Sequence, residues 1–234
     1  MDDVLIILPT YNERENLERM VAAIGREVPG AHLLIIDDGS PDGTGDIADG
    51  IAAASPSVFV HHREGKLGLG TAYVWGFGWA LERDYRHVFE MDCDFSHDPA
   101  DLPRLLERSR RGADVVIGSR YVDGGGTEGW GLARRLISRG GGFYSRLVLG
   151  IGVRDLTAGF KCFRREALEA LPLDRIRSEG FSFQIELNYL ASKSGLRIVE
   201  IPVTFRDRQE GTSKMTGNIF AEALVMVWRI RLGM

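Results

Sequence analysis

The chain has 234 residues, 44% of them apolar, and its 29 basic and 33 acidic side chains give a net charge of −4. This length and apolar content suit one large domain, or one domain with a small appendage, and the lack of a basic surplus argues against a general nucleic-acid binder. Two cysteines, Cys93 and Cys162, are too few for a disulfide scaffold, which favours a reducing compartment.

The N-terminal stretch MDDVLIILPTYNE lacks the pattern of a signal peptide, because it carries acids where positive charge is required and its apolar run is short. No stretch approaches the roughly 18 apolar residues of a membrane span. We therefore expect a soluble, cytosolic chain, with one C-terminal segment, described below, that complicates this expectation.

Strands and helices alternate through the first half of the chain. Short apolar or β-branched runs predict strands at residues 4–8, 33–37, 58–62, 87–92 and 114–120. Helical spacing predicts helices at residues 12–28, 46–54, 69–83 and 99–110, with Asn12 as the first N-cap. This alternation indicates an α/β fold with a mostly parallel central sheet and helices on both faces. Ligands bind beyond the carboxyl ends of such strands, where Asp37, Asp38, Asp92, Asp94 and Arg120 fall.

The pattern changes after Tyr121. Residues 122–131 form a glycine-rich loop, either a simple turn or a lid, and residues 132–149 predict a helix. A turn, a short strand and a helix start are expected in 155–168, a helix in 182–195 and a strand in 197–205. A polar loop then leads to a largely apolar final helix. We expect one catalytic domain over residues 1–214 and an amphipathic helix over 215–234.

The acids of MDCDFSH allow four interpretations. Asp92 and Asp94 could cap the next helix or solvate a loop, although Ser96 and Asp98 would serve equally well. A glycosidase pair is hard to arrange from residues this close in sequence, and Cys93 has no partner at zinc-ligand spacing. A divalent cation that bridges a nucleotide diphosphate suits two carboxylates in an open turn.

Other phosphate-binding motifs are missing. PTYNE follows the first strand where a dinucleotide site would need G-x-G-x-x-G, and GLGTAY is one glycine short and follows the third strand. The P-loop motif is also absent. The aspartates that end the second strand could instead accept hydrogen bonds from a base or a ribose hydroxyl.

PTYNERENL, DDGSPDGT and MDCDFSHDP, in this order, resemble glycosyltransferase family 2 enzymes of the GT-A nucleotide-diphospho-sugar transferase fold. These motifs are widely shared and fix only the fold. GSRYVDGGG, SRGGGFYSRLVLG, DLTAGFK, EGFSFQIE and FRDRQEGTSKM further resemble polyprenol (dolichyl) phosphate mannose synthases. GSRYVDGGG together with the DRxxGxSK tail is the most specific part. The resemblance covers almost the entire chain, from Leu8 to about Asn218.

The resemblance implies transfer of mannose from GDP-mannose to a polyprenyl phosphate, with Mg²⁺ or Mn²⁺ as cofactor. Asp92 and Asp94 would bind the metal, and Asp94, Arg120, Arg208 and Lys214 would form the catalytic set. The implied nucleotide-sugar contacts are Pro9, Tyr11, Glu13, Ile36, Asp38, Asp92, Cys93, Asp94, Arg120, Arg208 and Lys214. Two departures stand out: some relatives have a glutamine ligand where this chain has Ser96, and SRGGGFYSR has glycines where an asparagine is expected.

A lipid monophosphate is already ionised at neutral pH, so the reaction needs no general base. His61, His62 and His97 adjoin strand ends, and we interpret them as exposed or capping residues. Cations must bring two anions together, and Arg135 and Arg139 are further candidates for this role. One direct displacement should invert the anomeric centre. Trp75, Phe77 and Trp79 are assigned to the core, and Gln184 and Glu186 are assigned a structural or a catalytic role.

The segment NIFAEALVMVWRIRL is too short to span a bilayer. It either packs on the core or lies in the membrane interface, with Trp228 and the arginines at headgroup level. Some family members carry transmembrane helices after the catalytic domain, so we expect a cytoplasmic, peripheral protein or one held by an anchoring subunit or domain. The alternatives are the same fold using UDP-glucose or another donor, and a non-catalytic nucleotide-sugar-binding module.

Overall fold

The computed structural model describes residues 3–176, 178, 180–207 and 217–233, with the backbone alone for residue 181 and for residues 217–224. Nine strands lie in the described part of the chain. They are β1 (Val4–Thr10), β2 (His32–Asp37), β3 (Val58–His62), β4 (His87–Glu90), β5 (Val115–Ser119), β6 (Gly126–Glu128), β7 (Lys161–Arg164), β8 (Ile198–Pro202) and β9 (Thr204–Arg206).

Seven strands form one sheet in the order β3-β2-β1-β4-β7-β5-β8, and all neighbours are parallel except β7, which runs antiparallel to β4 and β5. The register places Thr10 of β1 opposite Asp37 of β2. The carboxyl ends of β1, β2 and β4 therefore lie side by side, which is where a ligand site is expected. The prediction of a mostly parallel sheet is confirmed.

Helices cover both faces of this sheet, as the alternation predicted. They are α1 (Leu17–Glu27), α2 (Thr44–Ala54), α3 (Leu69–Leu81), α4 (Leu102–Arg110), α5 (Leu132–Leu149), α6 (Arg165–Ala170), α7 (Gly180–Lys193) and α8 (Gly217–Leu232). Side chains on α3 and α5–α8 share one core cluster, and those on α1, α2 and α4 share the other. Successive residues of β1 alternate between the two clusters, because neighbouring side chains of a strand point to opposite faces.

The first helix begins later than predicted. Asn12 is not its N-cap: it has a left-handed backbone with φ of 60°, and α1 starts after Asn16. The intervening residues turn toward the loop after β2 and the start of α2, because the Asn12 N–H donates to Ser40 Oγ at 3.0 Å and the Glu13 N–H donates to Thr44 Oγ1 at 3.0 Å. Residues 11–13 of the PTYNE stretch therefore form a loop beyond the carboxyl end of β1, which itself includes Pro9 and Thr10.

Two further predictions of secondary structure were incomplete. The glycine-rich loop contains strand β6, which pairs in parallel with β9 as a separate two-stranded sheet. The single strand predicted at 197–205 is divided into β8 and β9, since the Val203 N–H donates to Ser119 O and the chain then moves to the smaller sheet. Three-residue pairings of this kind are too short to produce a sequence period.

The C-terminal helix α8 packs beside α5 and α7. Val227 and Ile230 are buried in the core, and Arg231 Nη1 donates to the Leu149 carbonyl at 2.9 Å. One face of this helix therefore belongs to the fold. In the part of the chain that the structure describes, no helix is both long and apolar enough to cross a bilayer.

Candidate functional site

The two acids that follow β4 lie in a tight turn. Asp94 is 4% exposed, and its Oδ1 accepts a hydrogen bond from the Ser96 N–H at 3.0 Å. Phe95, which lies between Asp94 and Ser96, has φ of 59°. Asn12 in the neighbouring loop is the other non-glycine residue with positive φ among those described. Left-handed backbone at bulky residues is costly and concentrates at functional sites.

His97 is buried against the acidic turn and contacts its backbone. The interpretation of His97 as an exposed or capping residue is therefore wrong. The side chain is 4% exposed, its ring stacks on Phe160, and its Nδ1 accepts the Asp92 N–H at 3.2 Å. Burial lowers the pKa of His97 to about 4, so the ring is neutral at physiological pH. Its ring packs on Phe160 and Phe205, which are distant in sequence, so no local sequence signal indicates its burial.

The loop after β1 lies beside the acidic turn. Burial, followed by the charges of Glu13, Asp94 and Asp92, raises the pKa of the Cys93 thiol. Cys93 is itself buried. Glu13 and the two predicted metal ligands therefore act on the same buried thiol.

The acids that end β2 have different partners. Asp37 Oδ1 accepts from Thr10 Oγ1 at 3.0 Å and from Ser40 Oγ at 2.6 Å, so this carboxylate holds the turn itself. Asp38 Oδ1 accepts from Arg63 Nη1 at 2.6 Å, and its Oδ2 accepts from the Gly68 N–H at 3.3 Å. Each carboxylate oxygen has two lone pairs, so Asp38 can still accept a bond from a nucleotide.

Two cations that were not predicted, Arg63 and Lys66, lie next to the predicted nucleotide site. Arg63 follows β3, the next strand in the sheet, and Lys66 Nζ lies 4.2 Å from the centre of the Tyr11 ring. The position of Arg63 directly after a strand was the available signal, and Lys66 lies three residues further along the same loop. Both cations suit the surroundings of a nucleotide diphosphate.

Pro9 and Ile36 face each other in the register of β1 and β2. Ile36 is fully buried in the core cluster that contains α3. Their predicted nucleotide contacts remain predictions.

Arg120 follows β5 and is paired within the protein. Its Nε donates to Asp155 Oδ2 at 2.7 Å, its Nη2 donates to Asp155 Oδ1 at 2.5 Å, and Nη2 also reaches Thr157 Oγ1 at 2.7 Å. The guanidinium also lies 5.4 Å from the ring centres of Trp130 and Phe205. A phosphate contact from Arg120 would use Nη1, because the other nitrogens already have acceptors.

A second ionic cluster is sealed beneath the acidic turn. Lys161 and Glu90 are fully buried and form an ion pair with 2.6 Å between Nζ and Oε1, and Lys161 Nζ also donates to Gln184 Oε1. Burial raises the pKa of Glu90 and lowers the pKa of Lys161, while each charge favours the charged form of the other. A buried pair of this kind is stable only with its partners in place.

Two ion pairs involve Arg206 and Asp207, the residues that directly precede Arg208. Arg206 Nη1 pairs with Asp98 at 2.7 Å, and Arg134 Nη1 lies 3.0 Å from both carboxylate oxygens of Asp207. Arg208 and Lys214, the predicted phosphate contacts that follow, lie outside the described residues.

The acidic turn suits a hard divalent cation. Asp92 is 30% exposed at its side chain, so its carboxylate is accessible, and carboxylate oxygens are the ligands that Mg²⁺ and Mn²⁺ prefer. Among the residues described, no three His, Cys, Asp or Glu side chains gather as a metal-ligand group. A cation held by Asp92 and Asp94 would take its other ligands from phosphate oxygens and water.

A family model and two curated relatives match most of this chain. The family described as Glycosyl transferase family 2 matches residues 5–171. The chain is 48% identical over 230 residues to a polyprenol monophosphomannose synthase of Mycolicibacterium smegmatis, covering 97% of this chain and 87% of the relative. It is 50% identical over 226 residues to an undecaprenyl-phosphate mannosyltransferase of Micrococcus luteus, covering 97% of this chain and 93% of the relative.

Solved structures share the architecture. Glucosyl-3-phosphoglycerate synthase from Mycobacterium tuberculosis in complex with Mn²⁺, UDP and phosphoglyceric acid superposes with a TM-score of 0.70 at 21% identity, covering 97% of this chain and 78% of that one. The same enzyme with Mn²⁺, UDP-glucose and phosphoglyceric acid gives a TM-score of 0.69 at 22% identity, with coverage of 97% and 79%. At this identity the likeness establishes the GT-A fold alone. The matched motifs and the similarity to curated relatives along nearly the whole chain show that this protein belongs to glycosyltransferase family 2.

Proposed function

We propose that this enzyme transfers mannose from GDP-mannose to a polyprenyl monophosphate with inversion, giving polyprenyl phosphate mannose and GDP. The observation that carries the proposal is the similarity of 97% of the chain, at 48% and 50% identity, to two relatives named for polyprenol monophosphomannose synthesis and undecaprenyl-phosphate mannosyl transfer. The acidic turn beyond the sheet supports it, because a nucleotide-diphosphate donor needs such a site.

The acceptor supplies its own nucleophile in this reaction. A phosphate monoester is ionised at neutral pH, so its oxygen can attack the sugar carbon without a protein base. The neutral, buried His97 fits this chemistry, because its Nδ1 is already occupied by the Asp92 N–H. The side chain positions the acidic turn instead of accepting a proton from substrate.

Charge control is the protein's main contribution. Asp92 and Asp94 would hold Mg²⁺ or Mn²⁺, which when bound would neutralise the departing diphosphate. Arg120, with its Nη1 directed away from Asp155, would contact phosphate, and Arg208 and Lys214 are proposed to do the same. A single displacement would convert an α-linked donor into a β-linked product.

The test is a transfer assay with a short-chain polyprenyl phosphate, comparing labelled GDP-mannose with UDP-glucose, with and without Mg²⁺ or Mn²⁺. We expect metal-dependent label in the lipid phase from GDP-mannose alone, with a β-anomeric product by NMR. Label from UDP-glucose alone would overturn the donor, and an α-linked product would overturn the single displacement. Absence of transfer from every nucleotide sugar would refute the proposal and favour a binding module.

An exposed apolar face on α5 supports action at a membrane surface. Leu132, Leu136, Phe143 and Leu147 are 77%, 71%, 67% and 72% exposed. Their spacing of four, seven and four residues places them on one side of the helix. The exposed Arg135 and Arg139 adjoin this face, so the charge pattern is complementary to anionic headgroups.

The helix α8 has a comparable exposed surface. Val225, Trp228 and Leu232 are 56%, 50% and 61% exposed at spacings of three and four residues, while Val227 and Ile230 are buried. The two alternatives for the C-terminal segment are therefore compatible, because one side packs on the core and the other is available to lipid. We propose peripheral binding to the cytoplasmic leaflet through both helices.

Flotation with vesicles containing phosphatidylglycerol tests this part of the proposal. Leu136→Glu and Phe143→Glu should each weaken vesicle binding about tenfold or more, because a charge placed in the interface is costly. Ile137→Glu is the matched control, since Ile137 is 51% exposed on the same helix but lies away from the apolar face. Equal binding of all three folded variants would refute lipid docking here and favour an anchoring subunit or domain.

A further inference from the structure

The guanidinium of Arg63 is buried beside the predicted nucleotide site, although it extends from a loop. The side chain is 8% exposed. Its Nη1 donates to Asp38 Oδ1 at 2.6 Å and to the Gly68 carbonyl at 3.1 Å, and its Nη2 donates to Thr71 Oγ1. One planar group therefore joins the end of β2, the loop after β3 and the first turn of α3.

Asp38 binds the loop after β3 at both of its ends. Arg63 at the start of the loop donates to one carboxylate oxygen, and the Gly68 N–H at its end donates to the other at 3.3 Å. Between these two residues the loop lies against the chain after Asp38, since a Cβ added to Gly39 would be 3.1 Å from Gly65 Cα. A carboxylate held by donors on both oxygens cannot rotate freely, so Arg63 helps to fix the orientation of Asp38.

This ion pair lies at the nucleoside end of the proposed donor site. The strand order β3-β2-β1-β4 places β2 two strands from β4, so Asp38 lies about 10 Å along the sheet edge from the acidic turn. The proposed cation, and with it the diphosphate, would lie at that turn. Tyr11 lies between the two, in the loop after β1. The base and the ribose are therefore the parts of the donor expected beside Asp38.

The chemistry of a carboxylate restricts what Asp38 can bind. It accepts hydrogen bonds and donates none, so it selects groups that donate, and a nucleoside offers these as base N–H groups and ribose hydroxyls. The free lone pairs of Asp38 bind such groups well only while the carboxylate is held in place. Both N–H groups of Arg63 Nη1 are used by Asp38 and Gly68, and Nη2 is bound to Thr71. Arg63 is therefore better placed to hold Asp38 than to bind a ligand itself.

We propose that Arg63 is a positioning residue for donor binding: it holds the Asp38 carboxylate in the orientation that accepts hydrogen bonds from the nucleoside. This inference rests on the proposed function, since the contact of Asp38 with the nucleotide belongs to the same donor site. It predicts that loss of the guanidinium weakens the donor and its nucleoside diphosphate equally, and that the loss depends on Asp38. Interactions made equally in the ground state and the transition state change KM and leave kcat unchanged.

Three variants and one control form the test. Arg63→Gln removes the charge and most of the fork, Arg63→Lys keeps the charge, and Asp38→Asn removes the carboxylate at nearly constant shape. Arg83→Gln is the matched control and should bind GDP as the wild type does, because Arg83 lies beyond the other end of α3 with its side chain 42% exposed. Circular dichroism identifies the folded variants, and Arg63→Lys supplies the same test if Arg63→Gln does not fold.

Calorimetric titration with GDP in Mn²⁺ measures the coupling between the two residues. We expect Arg63→Gln to weaken GDP binding about tenfold or more, as for loss of a hydrogen bond to a charged group, and Arg63→Lys to weaken it less. In the Asp38→Asn background, Arg63→Gln should change GDP affinity by less than about twofold, because the group that it positions is gone. Additive losses would show that Arg63 contacts the ligand directly and would overturn the proposal. Wild-type affinity for GDP in a folded Arg63→Gln variant would overturn it as well.

The transfer assay gives an independent measurement. Arg63→Gln should raise the KM for the donor about tenfold and leave kcat and the KM for polyprenyl phosphate within about twofold. A fall in kcat at unchanged KM would contradict the proposal. If the wild-type enzyme binds and uses a uridine donor, the same cycle with UDP tests Arg63 after the GDP-mannose assignment has failed. If the wild-type enzyme binds no nucleoside diphosphate, both proposals are overturned.

Discussion

Replacing Asp155 with asparagine should destabilise the protein by about 3 kcal/mol. Asp155 is completely buried and accepts three hydrogen bonds from Arg120, at 2.9 Å from the backbone N–H, 2.7 Å from Nε and 2.5 Å from Nη2. Loss of one member of a buried ion pair costs about 3–5 kcal/mol, because the other charge remains buried. Asparagine keeps one acceptor oxygen, which places the expectation at the lower end.

Urea unfolding of Asp155→Asn measures this cost as a change in midpoint at constant slope. Glu107→Gln is the control: it removes an exposed ion pair between Glu107 on α4 and Arg111 just after that helix, and it should change the free energy of unfolding by less than about 0.5 kcal/mol. A cost below about 1 kcal/mol for Asp155→Asn would refute the reasoning. It would mean that Arg120 finds another partner or that water reaches the pair.

Three other predictions test the turn and the core. Asp94→Asn should abolish metal-dependent transfer without unfolding the chain, measured by the lipid-phase assay and circular dichroism; retained activity would refute the metal assignment. His97 has its pKa lowered from 6.5 to about 4 by burial, so as pH falls through this window the unfolded chain binds a proton that the folded chain does not. Between about pH 7.5 and pH 5 this costs about 2 kcal/mol, a loss that should be absent in His97→Gln when both are unfolded in urea; equal losses would contradict it. Gly76→Ala should cost about 1–3 kcal/mol by thermal or urea unfolding, because the added Cβ would lie 2.9 Å from Ile7 Cδ1; an unchanged midpoint would show that Ile7 can move aside.

The central parallel strands were predictable because β1, β2, β4 and β5 are buried on both sides. Runs such as VLIIL and LLIID have no polar residue until the strand ends, so the acids that follow them mark the sheet edge. The position of Asp38, Asp92 and Asp94 at the carboxyl ends of their strands could therefore be predicted from the sequence. The start of α1 could not, because the Asn12 N–H donates to Ser40 Oγ in a loop distant in sequence, and this contact has no local signal.

The buried ionic partners were not predictable from local pattern. Lys161 and Arg120 occupy sequence positions that suit exposed cations, and their acceptors Glu90 and Asp155 lie 71 and 35 residues away. Neither pairing leaves a periodic signal. The same holds for His97, whose environment is set by Phe160 and Phe205 from other parts of the fold.

The antiparallel strand β7 changes which residues of the chain lie at the expected ligand-binding edge of the sheet. In an all-parallel sheet, the chain meets the binding edge only as it leaves a strand. Because β7 runs in the opposite direction between β4 and β5, the chain meets that edge as it enters the strand. Asp155 and Thr157, which accept hydrogen bonds from Arg120, thus come from the residues before Lys161. One reversed strand therefore lets the incoming chain hold a side chain that the outgoing chain places at the end of β5.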